Sequence, residues 1–277
     1  MYSINCKGKL LNLDEPVVMG IINATPDSFY KGHLNMPFND VLALAGKMIS
    51  DGATILDIGG LSTRPGSQPV SVQEEIDRVI PVIESIYAAN PDIILSVDTY
   101  NSTVAKAAVH AGAHIINDIS AGNLDTDMID TVATLKVPYI CMHMLGTPAT
   151  MQKEAVYGNV VKEVLDFFIR KIDACSGGGI KDIIIDPGFG FAKSIEHNFQ
   201  ILKELAVLKT TGKPILAGLS RKSTIYKILG TTAAEALNGT TVLNTMALMN
   251  GASILRVHDV KEAMDAVKLF KAYKKAP

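Results

Sequence analysis

The sequence predicts an α/β fold, a single closed (β/α)8 barrel (a TIM barrel) over residues 1–277, and three observations carry that reading. Eight short, nearly all apolar runs alternate with amphipathic stretches along the whole chain, as strands buried on both faces of a parallel sheet alternate with their crossover helices. From Asn23 to Val257 the run ends recur about every 33 residues, the size of one βα unit. No Pro/Gly/Ser-rich linker or composition shift divides the 277 residues, so they read as one domain of ordinary barrel length. An open doubly wound sheet is the competing architecture, but no glycine-rich dinucleotide fingerprint follows the first run.

Taken in order, the runs are 17–23, 54–59, 93–98, 115–118, 139–143, 183–186, 215–218 and 254–257. Between them, Ile76, Val79, Ile80, Ile83 and Tyr87 repeat at helical spacing behind Ser71 and Glu74, which predict a capping box. Val161, Val164, Leu165, Phe168 and Ile172 form a second stripe, and Val260, Ala263, Met264, Val267 and Phe270 a third. Lys268, Lys271, Lys274 and Lys275 suit the solvated face and C-terminal end of that last helix.

Composition narrows the function classes. With 48% hydrophobic and 19% charged residues, the chain can bury a large core and is not disordered. A net charge of −2 supplies no field for polyanions, which argues against nucleic acid as the main partner. No apolar run approaches the roughly 18 residues that span a bilayer, and residues 1–13 lack a secretory signal. The expected address is the cytoplasm, with no membrane partner. Cys6, Cys141 and Cys175 are too few and scattered for a disulfide framework or a zinc ribbon.

Polar side chains collect where the runs stop: Asn23, Asp57, Asp98, Asn117, His143, Asp186, then Lys222, Arg256 and His258. In a barrel these ends converge on the rim that builds active sites. A single Asp or Asn there reads equally well as a helix cap or turn residue. Several carboxylates behind apolar runs need more, because a buried unpaired carboxylate is costly. Carboxylates and amides facing one cavity suit a flat, donor-rich heterocycle such as an aminopyrimidinone. Lys222, Arg256 and His258 at the seventh and eighth runs suit an anionic group beside Asn23, so the cavity is expected to be bipolar. Two polar, sharply turned loops, Thr25 to Phe29 and Ser62 to Gly66, are expected to overhang the same rim.

These residues fall in motifs that resemble the bacterial dihydropteroate synthase family over essentially the whole chain. MGIINATPDSF (19–29), DIGGLSTRPGS (57–67), SVDT (96–99), INDIS (116–120), MHMLGTP (142–148), DPGFGF (186–191), GLSRKS (218–223) and RVHDV (256–260) follow in family order. The resemblance implies transfer of a pterinylmethyl group from 6-hydroxymethyl-7,8-dihydropterin diphosphate to p-aminobenzoate in folate biosynthesis. By motif, Asp98, Asn117, Asp186 and Lys222 would bind the pterin, with Asp57 in support and Met142 and Gly218 lining the slot. Asn23, Arg256 and His258 would hold the diphosphate, with Mg²⁺ near Asn23. Asp27, Phe29, Thr63, Arg64, Pro65, Phe191 and Ser223 would form the p-aminobenzoate site and its lid loops. Asp98, Asp186, Lys222, Arg256 and His258 would carry the reaction. The family is a sulfonamide target and normally works as a homodimer.

Two alternatives share parts of this pattern. A methyltetrahydrofolate-binding methyltransferase uses a similar barrel but has no use for the SRKS loop. A non-catalytic pterin-binding paralogue would be expected to lose lid residues that are present here. Departures from the family pattern are Leu61, Lys31, His33, Leu145 and Ala149, none assigned to the reaction. His110 and His114 read as a solvent-facing pair and His197 as a surface residue. Cys141 and His143 would share a strand face without completing a zinc set, and Met144, Met246 and Met249 read as core filler.

Overall fold

The computed structural model describes residues 2–24, 38–61, 70–148, 150–151 and 155–277. Asp27, Phe29, Thr63, Arg64 and Pro65, together with Lys31, His33 and Ala149, lie outside the described residues.

An antiparallel hairpin, β1 (Ser3–Cys6) and β2 (Lys9–Asn12), precedes the barrel. The barrel units follow as β3 (Val17–Asn23), α1 (Phe38–Ser50), β4 (Ile55–Gly59), α2 (Val72–Ala89), β5 (Ile94–Asp98), α3 (Ser102–Ala111), β6 (Ile115–Asp118) and α4 (Met128–Leu135). The second half comprises β7 (Tyr139–Met142), α5 (Val160–Gly177), β8 (Ile183–Asp186), α6 (Ile195–Lys203), β9 (Leu216–Ala217), α7 (Ser223–Leu229), α8 (Leu237–Met249), β10 (Ile254–Val257) and α9 (Val260–Lys275). The eight strands β3 to β10 pair in parallel in the order β8-β7-β6-β5-β4-β3-β10-β9. A parallel bridge between Ile185 and Ile215, with Ile185 N donating to Pro214 O at 3.0 Å, joins the two ends of that order. The predicted (β/α)8 barrel is the fold observed.

Strand alternation sorts the side chains. Outward-facing residues such as Leu56, Leu95, Ile116, Cys141, Ile185 and Leu255 pack beneath the helices in the main core. Inward, each strand gives one residue to a floor of Met19, Ile55, Ile94, Ile115, Ile140, Ile184, Leu216 and Ile254. The hairpin, absent from the sequence reading, covers this floor from below with Ile4, Cys6 and Leu11. Its turn carries positive φ at both Lys7 (53°) and Gly8 (93°), the geometry that matches the twist of a two-residue hairpin. Each aliphatic side chain so buried contributes about 1.5–3 kcal/mol.

Four local expectations change. Ser71 caps α2 by accepting from Glu74 N at 3.2 Å, but the Glu74 side chain pairs with Arg78 instead of returning to the cap. His110 is exposed, but His114 is buried and its Nδ1 accepts from Leu95 N at 3.1 Å, because the chain turns inward at Gly112 to start β6. His197 is half-buried and supplies the side-chain half of the capping box at Ser194. Met246 and Met249 are exposed on α8; a near-flat hydrophobic pattern along that helix left its buried face undefined in the sequence.

Candidate active site

In a strand, the residue two positions on faces the same side, so the floor determines what lies above it. Above the floor stand Ile21, Asp57, Ser96, Asn117, Met142, Asp186, Gly218 and Arg256. Five of these eight are polar or charged, at a depth where the floor below is entirely apolar. Asn23 and Asp98 lie one further step towards the mouth.

The second layer is tied together. Arg256 Nε donates to Asp57 Oδ2 at 2.6 Å, and Asn117 Nδ2 donates to the same oxygen at 2.9 Å. The other arm of the guanidinium, Nη2, bonds Asp98 Oδ2. Asp57 is fully buried, with Oδ1 making no hydrogen bond among the described residues; it therefore acts on the cavity through Asn117 and Arg256. The Asp98 side chain keeps 20% of its surface and can meet a ligand directly. Burial pushes the Asp98 carboxyl up to about 7, against the opposing pull of Arg256. Burial also works against the Arg256 cation, but Asp57 and Asp98 more than offset it and hold its pKa above the ordinary value.

This arrangement corrects the bipolar reading. Arg256 is not segregated with Lys222 and His258; the register of β10 sets it in the carboxylate layer, between Asp57 and Asp98. His258 is exposed at the rim, its Nδ1 2.9 Å from Ser220 Oγ, which also accepts from His258 N at 3.2 Å. Arg221 turns away at φ 54° and forks onto Asp259 through Nε and Nη2, each at 2.8 Å. That reversal sends the next side chain, Lys222, into the mouth.

Lys222 reaches Asp186 and the loop after β8. Its Nζ donates to Phe189 O and lies 4.8 Å from the centre of the Phe191 ring, a cation–π geometry. Burial lowers the Lys222 amine to about 8 and raises the Asp186 carboxyl, and each of the two groups opposes the other's shift. Asp186 Oδ1 accepts from Gly188 N at 2.7 Å, which fixes the carboxylate at the strand end. Gly188 (φ 70°) is obligatory here, since a Cβ would stand 2.1 Å from His143 O, and at Gly190 (φ 81°) a Cβ would be strained and crowd Lys222 Cδ at 3.1 Å. Gly218 leaves ordinary contact distance to Lys222 Nζ and Asp186 Oδ2. Met142 is buried with Ile119, Met144, Met151 and Ala192 in an apolar patch that Phe191 packs against. Ser223 opens α7 beside Lys222.

His143 does not join the mouth. It follows the outward-facing Cys141 by two residues, so it packs against Phe167 of α5, ring centres 4.8 Å apart, and against Lys193. Burial, with Lys193 adding to it, pushes the imidazole down to about 2, so it is neutral. The sequence reading missed Lys193, whereas Ser220 falls within the GLSRKS motif. Lys193 sits seven residues after Asp186, and no residue-type rule marks it, since a lysine is rarely buried.

A floor of aliphatics beneath a mouth of carboxylates, amides and two half-buried cations defines a barrel enzyme whose mouth suits a flat, donor-rich heterocycle. The chain matches the family described as pterin binding enzyme over residues 19–258, and it belongs to that family. It is 43% identical over 268 residues to the dihydropteroate synthase of Escherichia coli (strain K12), covering 96% of this chain and 94% of that one. The Yersinia pestis dihydropteroate synthase, solved with a sulfonamide drug complex, superposes with a TM-score of 0.94 at 40% identity, over 99% and 100% of the two chains. The Xanthomonas albilineans dihydropteroate synthase in complex with 7,8-dihydropteroate does so with a TM-score of 0.90 at 40% identity, over 100% of both. Within the pterin-binding enzymes the chain thus falls among the dihydropteroate synthases, transferases of the pterinylmethyl group.

Proposed function

We propose that the chain condenses 6-hydroxymethyl-7,8-dihydropterin diphosphate with p-aminobenzoate by a dissociative substitution. The C–O bond to the diphosphate breaks with its electron pair leaving on oxygen. The arylamine lone pair then forms the C–N bond, and the ammonium so formed gives its proton to water. The observation that carries this reading is the set Asp98, Asn117 and Asp186 around Lys222 and Arg256, acceptors for a pterin's guanidine-like edge beside cations for a leaving group. An arylamine is neutral near pH 7, so the reaction needs no general base; it needs a field that tolerates a pterin cation. Asp98 and Asp186 supply that field, with Asp57 behind Asn117, and Met142 and Gly218 shape the slot. Asn23, Arg256 and His258 hold the diphosphate. Phe191 and Ser223 contribute to the p-aminobenzoate site with Asp27, Phe29, Thr63, Arg64 and Pro65.

Mg²⁺ suits this donor set as an ion that arrives with the substrate. Among the described residues no group of three His, Cys, Asp or Glu side chains gathers to hold a metal, and Asn23 ends β3 with a half-buried amide. Mg²⁺ is commonly held by one or two protein oxygens plus phosphates and waters. When bound, it would neutralise charge on the departing diphosphate.

Pyrophosphate release tests the function. It should depend on Mg²⁺ and be sustained over many turnovers only with p-aminobenzoate, which consumes the pterin cation, and His258→Ala should lower the rate by about tenfold to a hundredfold and blunt the Mg²⁺ dependence. No pyrophosphate release with both substrates present would leave only the paralogue reading, and an equally Mg²⁺-dependent, fully active His258→Ala would remove His258 from the clamp.

The working form is a homodimer built on α8. This helix, LNGTTVLNTMALM, carries no charged residue, and Val242, Met246 and Met249 are exposed on it beside Ile228 and Leu229 of α7. Such an apolar surface marks an interaction site, and a second copy is the family's usual partner. Sedimentation at micromolar concentration should give a dimer that Met246→Glu converts to monomer; a wild-type monomer would overturn this. Among the described residues no helix is long and apolar enough to cross a membrane. The free, buried thiols of Cys6, Cys141 and Cys175 fit the reducing cytoplasm, which cell fractionation checks.

A further inference from the structure

Lys193 is 5% exposed, and its amine nitrogen is surrounded by acceptors from two loops. After β7 these are His143 Nδ1 at 3.0 Å and His143 O at 3.3 Å; after β8 they are Gly188 O at 3.1 Å and Phe191 O at 3.0 Å. No carboxylate forms a salt bridge with it among the described residues. Burying an amine without an ion pair is unfavourable, so its hydrogen bonds must account for its place here. What the amine supplies is a tie across the gap between the two loops.

The loop it holds is sharply turned, and its Phe191 carbonyl is held by Lys193. Between residues 188 and 192, Gly188, Gly190 and Ala192 all adopt positive φ (70°, 81° and 47°), and Ala192 does so with a Cβ. Other groups anchor its neighbours: Gly190 N donates to Asn198 Oδ1 at 2.7 Å, Lys222 Nζ to Phe189 O, and Tyr157 OH to Ala192 O at 2.9 Å. Phe191, whose carbonyl Lys193 holds, is the residue whose ring faces Lys222 Nζ. We propose that Lys193 is a positioning residue for the second substrate: its amine ties the loop after β7 to the loop after β8 and so sets the Phe191 ring against Lys222. The inference rests on the reading of Phe191 as part of the p-aminobenzoate site.

The test is steady-state kinetics of folded Lys193→Met, each substrate varied in turn. The KM for p-aminobenzoate should rise on the order of tenfold while that for the pterin diphosphate stays within about twofold. Phe191→Ala added to Lys193→Met should raise it no further than Phe191→Ala alone, as residues acting through one ring are not additive. Unchanged KM values, equal rises for both substrates, or additive effects would overturn the proposal. Should Lys193→Met not fold, His143→Leu removes one acceptor and keeps the lysine; a selective rise of about threefold is then expected, and none would overturn it. Phe191→Ala with unaltered p-aminobenzoate KM would overturn the site reading itself. A rise there without one in Lys193→Met would overturn this inference alone.

Discussion

Asp186→Asn should weaken binding of a pterin without its diphosphate by about a hundredfold, and the barrel should stay folded. Hydrogen bonds to a charged acceptor contribute about 1.5–3 kcal/mol each, so losing a carboxylate that accepts two donors amounts to roughly 3 kcal/mol, about two decades in affinity. The fold tolerates the change because Asn keeps an oxygen for Gly188 N, the 2.7 Å bond that seats the side chain. Burial already disfavours the charged form of Asp186, so neutralising it removes a cost from the native state. Calorimetric titration reads the affinity, and an unchanged value would remove Asp186 from the pterin site.

The sign of the pH dependence follows from the same groups. A raised carboxyl pKa means the acceptor form is lost as pH falls through the folded value, so pterin affinity should drop below about pH 7, where Asp98 gains its proton. Stability moves the other way. Between the ordinary carboxyl value of 3.8 and about 7 the native state binds more protons than the unfolded chain, so this group's contribution falls as pH rises across that window. Tighter pterin binding at pH 5.5 than at pH 8 would contradict the assignment.

Arg256→Met should be the most damaging single change at the mouth. One guanidinium serves Asp57, fully buried, and Asp98, largely so, and removing it strands two carboxylates. Breaking a buried pair in this way costs about 3–5 kcal/mol, which a urea denaturation midpoint would show. Turnover of the protein that still folds should fall on the order of 10²- to 10³-fold, the usual effect of losing a positioned donor at a developing negative charge. Asp57→Asn in the same background should recover part of the stability, because it removes one stranded charge, and recover no activity. An unchanged midpoint in Arg256→Met would show that the carboxylates do not depend on the pairing.

The strands were legible because each is written in local terms. Ile55-Leu56-Asp57, Ile115-Ile116-Asn117 and Ile184-Ile185-Asp186 place a floor residue, an outward core residue and a polar residue above the floor, a period of two that needs no partner to be read. His143 broke the pattern because strand-end position was read without its parity: counted from Ile140 on the floor, it faces outward. The hairpin escaped because its strands are only four residues long and their apolar face is explained only by the barrel floor they cover. His114 and Lys193 escaped for a similar reason, since each is buried against groups distant in the chain, Leu95 N for one and two separate loops for the other.

By itself, the sequence determined the barrel, its eight units and the polar ends of its strands, because alternation and helical stripes are properties of residues a few positions apart. Only the tertiary structure decided the pairing at the mouth. Arg256 meets Asp57 across 199 positions and Asp98 across 158, and that meeting depends on the stagger of β10 against β3 and β4, which closure of all eight strands fixes together. Charge type was therefore visible in the chain, whereas the separation of cations from carboxylates was not, and the barrel's register places Arg256 among the carboxylates.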